Sequence, residues 1–233
     1  MEIKIIPDKY EIQARIFPAI IVLVPFLIFT MNCDISMLSV FFDDLLKVKI
    51  IGNLTIALIL LYFLSQTNRF FGKFLFERIL FKDELEMPTT RFVLFSDSTL
   101  SKTYKLQIRE RVKTDFNNNM PTEEDETNDF IETKKRIVEV VGLIREKVKK
   151  GRLLLQHNIE YGFARNLIGG SIIGLVVSIF DIIYFYLVHS SPILYISAFS
   201  TCFFSVLLLC NKPIINHLGN QYAKRLFTEY LNK

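Results

Sequence analysis

Between Leu167 and Val188 the chain reads LIGGSIIGLVVSIFDIIYFYLV, and Asp181 is the one charged residue in that stretch. Gly170, Gly174 and Ser178 recur every four residues ahead of it. At about 100° per residue Asp181 falls within the same helical stripe. A second apolar run, Ile193 to Cys210, carries Ser197, Thr201 and Ser205 on one face, with Ser200 beside them. A hairpin turning near Ser190 brings Asp181 alongside Ser197, Ser200 and Thr201. A carboxyl group among hydroxyls inside an apolar stretch supports two kinds of chemistry. It can hold a proton or a cation as a transport or sensing site. It can also accept hydrogen bonds from the hydroxyls and act as a polar clasp between two helices. The clasp is the preferred reading, because a transporter ordinarily shows more than one intramembrane charge. Gly170, Gly174 and Ser178 form a small-xxx-small seam that lets another helix approach closely.

Other chemistry-bearing residues do not assemble. His157, His189 and His217 are isolated from one another along the chain. The acidic run Glu123 to Asp129 lacks the His or Cys spacing of a metal site and suits the first turn of a helix instead. Gly169-Gly170-Ser171 lacks the Gly-Lys-Ser/Thr of a phosphate loop. Ser96-Asp97 has no identifiable base, so a membrane-anchored enzyme is the least favoured class. No catalytic residue, metal site or cofactor is expected. Cys33, Cys202 and Cys210 fall at different depths, so free thiols are expected rather than disulfides.

The elements that must position Asp181 are long apolar runs. There are four: Ile16 to Met31, Ile50 to Leu64, Leu167 to Val188 and Ile193 to Cys210. A helix needs roughly 20 residues to cross a hydrocarbon core of about 30 Å. The third and fourth runs reach that length; the first two reach it with their flanks and some tilt. Of the 28 Lys and Arg, all but Lys47 and Lys49 lie in the first tail, in the block Thr67 to Arg165 or after Cys210. Lys and Arg are retained on the cytoplasmic side, so both termini and the central block are expected there. Asp34, Asp43 and Asp44 mark the outer loop of the first hairpin. Glu2, Asp8 and Glu11 mix with the basic residues before the first run and no small-residue cleavage site follows it, so it reads as a span rather than a signal peptide. Pro18 and Pro25 are expected to bend it, and Asn53 in the second run reads as a packing contact.

The fold class is therefore mainly α: an integral membrane protein of four transmembrane helices in two hairpins, with a mostly helical cytoplasmic domain between spans two and three. The divisions fall at 1–66, 67–165, 166–211 and 212–233, the last a cytoplasmic C-terminal helix. Within the block, Arg69 to Lys82 either lies among lipid headgroups or continues the second span. Arg91 to Ser96, RFVLFS, reads as a strand. A helix from about Thr99 to Asp115 is capped by Asp97 or Ser98. A second helix opens at Met120-Pro121-Thr122, with Thr122 and Asp125 as a capping box. It carries Phe130, Ile137, Val141, Ile144 and Val148 as one apolar interaction stripe, and Gly151 breaks it. A further helix from about Leu153 leads into the third span.

PTTRFVLFSDSTLS, Pro88 to Ser101, and YGFARNLIGG, Tyr161 to Gly170, resemble stretches of a family of small uncharacterised bacterial inner-membrane proteins. The resemblance covers the central block and the third span, and transfers no catalytic residue. It implies an antiphage-defence setting. The expected function is a non-enzymatic inner-membrane protein, homo-oligomeric and embedded in the lipid bilayer. Its cytoplasmic domain receives a signal or a protein partner, and its helices respond by perturbing the membrane or recruiting an effector. The alternative is a small transporter or channel built around Asp181. The net charge of +4, with acidic residues interleaved among the basic ones, gives no reason to expect direct nucleic-acid binding.

Overall fold

The computed structural model describes residues 8–32, 51–149 and 151–233, the side chains of residues 51–56 and 152–153 excepted. Among these the chain is mainly helical, with no strand. In chain order, α1 is Lys9–Asn32, with Ile12–Ile16 wound as a wider π-helix. Helix α2 is Ile51–Phe71, continued by a π-helical Gly72–Arg78 and a last turn Ile79–Phe81. Helices α3 (Pro88–Arg91), α4 (Lys102–Phe116), α5 (Glu123–Asn128) and α6 (Phe130–Val148) follow. Then come α7 (Arg152–Leu187), α8 (Ser191–Leu209) and α9 (Asn211–Asn232). Among the described residues three helical stretches are long and apolar enough to cross a membrane: α1, the Leu154–Leu187 part of α7, and α8. The second expected span, Ile50 to Leu64, falls on α2 from Ile51 onward, which is helical and is not among these three. Cys33, Asp34, Asp43, Asp44, Lys47, Lys49 and Ile50 lie outside the described residues, as do Glu2 and Lys4; so does the side chain of Asn53. Cys202 and Cys210 are free thiols.

The chain divides into two compact units. The first takes the residues up to Lys73 together with Phe163–Asn211; the second takes Phe74–Gly162 and Lys212–Lys233.

In the first unit the usual polarity is inverted. Phe26, Tyr62, Phe63, Tyr186, Tyr195 and Phe199 are exposed, whereas Asn68, Asn166, Ser178, Asp181 and Ser197 are buried. Apolar surface outside and polar groups inside fits helices that are surrounded by hydrocarbon rather than water. A small apolar cluster of Val22, Leu167 and Phe204 ties α1, α7 and α8 together. The tightest contact joins α2 to α7. A Cβ on Gly169 would stand 2.3 Å from the Gly72 amide nitrogen and 2.4 Å from the Asn68 carbonyl oxygen. One turn earlier the Arg165 carbonyl oxygen lies 2.6 Å from where a Gly72 Cβ would be. Backbone therefore rests on backbone, which glycine at both places permits. Of the seam residues, Gly170 meets the Asn68 side chain and Gly174 the Phe204 ring.

The second unit has a conventional core. Phe92, Val93 and Leu94 meet Ile108 and Val112 of α4, the inward face of α6, and Ala223, Leu226, Phe227 and Tyr230 of α9. Four expected stripe residues, Ile137, Val141, Ile144 and Val148, are buried in that core, against other helices of the same chain. Phe130 does not join them. It is exposed, with the Lys134 ammonium 4.2 Å above its ring. The C-terminal segment is helical, as α9, and it supplies part of this core.

Arg91 to Ser96 is not a strand. Arg91 closes the short helix α3, and residues 92–96 form turns. A strand would have needed a neighbour to take its backbone groups. Here a side chain takes them: the Glu126 carboxylate accepts from the Phe95 amide at 2.7 Å and the Ser96 amide at 3.0 Å. Lys105 donates to the Leu94 and Asp97 carbonyls, and Arg109 to the Val93 and Pro121 carbonyls. Helix α4 begins later than expected. Its N-cap is Ser101, while Asp97 instead accepts from the Thr99 amide. The Thr122–Asp125 capping box opens a short helix only. Asp129 turns extended, ends α5 and caps α6 by accepting from the Glu132 amide. Residues 69–81 continue the helix that begins at Ile51.

Glu126 makes the second unit acid-sensitive. Burial alone would raise its pKa, but hydrogen bonds from Ser96 and Phe95 and the nearby Arg109 guanidinium outweigh it and hold the carboxyl below its ordinary range. A group depressed on folding stabilises the folded state above its unfolded value of about 4.3, and that stability is lost as pH falls through the folded pKa. Thermal stability of the second unit should therefore drop below about pH 4. Glu126→Gln should flatten that part of the profile and lower the plateau at pH 7. A wild-type profile that Gln leaves unaltered at both ends would count against the assignment.

Candidate functional site

Two polar layers lie inside the first unit. The first is at the π-helical end of α1 and the end of α2. Asn166 donates from Nδ2 to the Ala14 carbonyl at 2.6 Å, and its Oδ1 accepts from Arg165 Nε at 3.3 Å. Ala14 lies within the π-helical Ile12–Ile16, and that stretch packs on α2. Asn68 is buried with its amide flat over Gly170, 2.6 Å from where a Cβ would sit, and neither amide atom finds a hydrogen-bond partner. Asn68, Asn166, Gly72 and Gly169 were not singled out as site residues by sequence. Asn166 sits in the YGFARNLIGG motif, but nothing local tells which polar residue faces inward.

The second layer holds Asp181. Its position follows from the packing of α7 against α8. The chain reverses through His189, whose φ of 56° is left-handed, so the two helices run antiparallel. Gly174 is pressed by the Phe204 ring, 2.6 Å from where its Cβ would be. One turn from that contact, at about 3.6 residues per turn, stand Ser178 and Ser200; two turns on stand Asp181 and Ser197. Ser178, Asp181 and Ser197 are fully buried and Ser200 nearly so. By that register Asp181 stands level with Ser197, and the seam residue Ser178 with Ser200 one turn nearer Gly174. Thr201 lies on the flank and is half-buried.

The hydroxyls do not close on the carboxylate. Thr201 donates to the Ser197 carbonyl at 2.9 Å and Ser178 to the Leu175 carbonyl at 3.1 Å. Both Asp181 oxygens and Ser197 Oγ are buried without a hydrogen-bond partner. The hydrogen bonds of the expected clasp are not made; Ser178 and Thr201 turn to carbonyls three and four residues back instead, as such residues in a helix can. Toward the turn the neighbouring residues of α7 meet α1 through aromatic rings. Phe29 of α1 lies 5.3 Å from Phe180, 5.1 Å from Tyr184 and 6.3 Å from Phe185, between ring centroids. Phe204 lies on the opposite side.

In the second unit, Glu229 of α9 reaches the start of α7. It accepts from the Leu154 amide at 3.0 Å while pairing with Arg225 at 3.3 Å. Its carboxylate fills the space that a side chain on Gly151 would need. An anion on the first turn of a helix is favourable there. A polar groove of about 630 Å³ opens between α4 and α9, with Tyr104, Arg111 and Asp115 on one wall and Thr228 and Asn232 on the other. Among the described residues no three His, Cys, Asp or Glu side chains converge as metal ligands. No family model, curated protein or solved structure matches the chain.

Proposed function

We propose that this chain is a non-enzymatic inner-membrane protein whose second unit lies in the cytoplasm, receives a signal or a protein partner, and passes it to the membrane helices. One observation carries the reading. Helix α7 runs unbroken from Arg152 to Leu187. Its first turn is held by Glu229 of α9, and its later turns carry Gly170, Gly174 and Asp181. A partner that displaces α9 thus acts on the helix that bears the seam. The basic residues support a cytoplasmic second unit and cytoplasmic termini. The resemblance supports a response to phage infection, with membrane perturbation as the output.

Topology is tested in a cysteine-free background in intact cells. A cysteine at Ser190 should react with a membrane-impermeant maleimide, and one at Asn118 should react only after lysis. Labelling of Asn118 in intact cells would reverse the orientation. Function is tested by phage plating and by membrane potential in cells expressing the chain. Wild type should depress plating and depolarise the infected cell. Glu229→Ala should remain in the membrane and lose most of the response. A full response from Glu229→Ala would remove α9 from the signalling route. A second reading, a small transporter or channel built around Asp181, is favoured by the unpartnered carboxylate.

A further inference from the structure

We propose that Asp181, with the hydroxyl oxygens of Ser178, Ser197 and Ser200, binds a dehydrated sodium ion. The inference stands apart from the cytoplasmic-signal reading and rests on the hairpin alone.

Three observations converge. Asp181 is fully buried, and both its oxygens lack a hydrogen-bond partner, as does the buried Ser197 Oγ opposite. The packing register sets four oxygen-bearing side chains at adjoining levels of α7 and α8, between Phe204 and the rings around Phe29. No basic side chain lies within the apolar stretches of α1, α2 or α8, and the nearest one along α7, Arg165, is about 24 Å away at 1.5 Å rise per residue.

An uncompensated carboxylate in such surroundings is strongly unfavourable, so its charge must be neutralised. The donor set decides by what. Carboxylate and hydroxyl oxygens are hard ligands, which favour hard cations over transition metals. A single negative charge balances one positive charge. A divalent ion would leave a net charge in the interior and ordinarily takes more carboxylates than one. Ser178 directs its proton to the Leu175 carbonyl, which leaves its lone pairs available to a cation. Asp181, Ser178 and Ser197 are fully buried, so the ion must shed its shell to enter, and four protein oxygens would replace part of it. Among monovalent ions a small one suits so few ligands.

The test uses the full chain purified in detergent at pH 8. Thermal unfolding is followed while NaCl replaces choline chloride at constant ionic strength. Sodium should raise the midpoint saturably, by roughly 5 °C at concentrations far above the half-saturation point. Lithium should substitute and potassium should not. Ser197→Ala should move half-saturation at least about tenfold higher, and Asp181→Asn should fold without any sodium dependence. Equilibrium binding of radioactive sodium to the wild-type chain gives a second measurement that needs no variant, and one saturable site per chain is expected. A midpoint indifferent to sodium, or binding that does not saturate, would overturn the proposal and leave Asp181 as a protonated packing group. Sodium dependence that survives in Asp181→Asn would overturn it too.

Discussion

Gly169→Ala is expected to dismantle the packing of α2 on α7. The added carbon would stand 2.3 Å from the Gly72 nitrogen and 2.4 Å from the Asn68 oxygen, both backbone atoms, so no rotamer change relieves the clash. Overpacking typically costs about 1–3 kcal/mol where side chains can give way. Here a whole helix must move, so the cost should reach or pass the upper end of that range. Gly142→Ala is the matched control. Gly142 lies inside α6, and nothing stands within 4 Å of the added carbon. Alanine in a helix interior is better than glycine by roughly 0.5–1 kcal/mol, so the midpoint should rise by about 2–4 °C. Thermal melts of both variants in one detergent settle the matter. A Gly169→Ala midpoint equal to wild type would mean that the backbone contact is not maintained.

Val141→Asp should unfold the second unit while leaving the first inserted. Val141 is 1% exposed in a core shared by α4, α6 and α9, among aliphatic and aromatic neighbours. An ionised carboxylate placed there lacks a partner, and an unpaired buried charge costs about 3–5 kcal/mol. That is a large share of the roughly 5–15 kcal/mol by which a domain is ordinarily stable. Limited proteolysis of membranes should then cut the chain between Phe74 and Gly162 at protease levels that spare the wild type. Resistance equal to wild type would show that the α6 stripe is not core.

The sequence made the helices of membrane length and the local signals legible. Apolar run length marks α1, α7 and α8 without reference to the rest of the chain, and the Thr122–Asp125 capping box is a contact between residues three apart. Contacts made at a distance were less legible. Residues 91–96 carry β-prone side chains, yet Glu126, thirty positions on, takes their amides and makes a turn the cheaper outcome. Asp129 looked like one more acid in a helix start, whereas its extended backbone divides α5 from α6. Helix α9 did carry a readable signal: Ile215, Gly219, Ala223, Leu226 and Tyr230 follow three- and four-residue spacing, the mark of a packed face. The level shared by Asp181 and Ser197 followed from hairpin geometry. Where the hydroxyl protons point did not, because local carbonyls compete for them.

The reversal at His189 also governs which changes of length the hairpin tolerates. Register between Gly174 and Phe204 is set by interlocked side chains well away from the reversal, so extra residues spliced in at Ser190 can bulge outward and leave the register alone. One residue inserted between Ser197 and Phe204 has no such escape. It would turn Ser197 by about 100° relative to Phe204 and carry its oxygen off the level of Asp181. Related chains should therefore vary in loop length at the reversal while keeping the count from Gly174 to Asp181 and from Ser197 to Phe204 fixed.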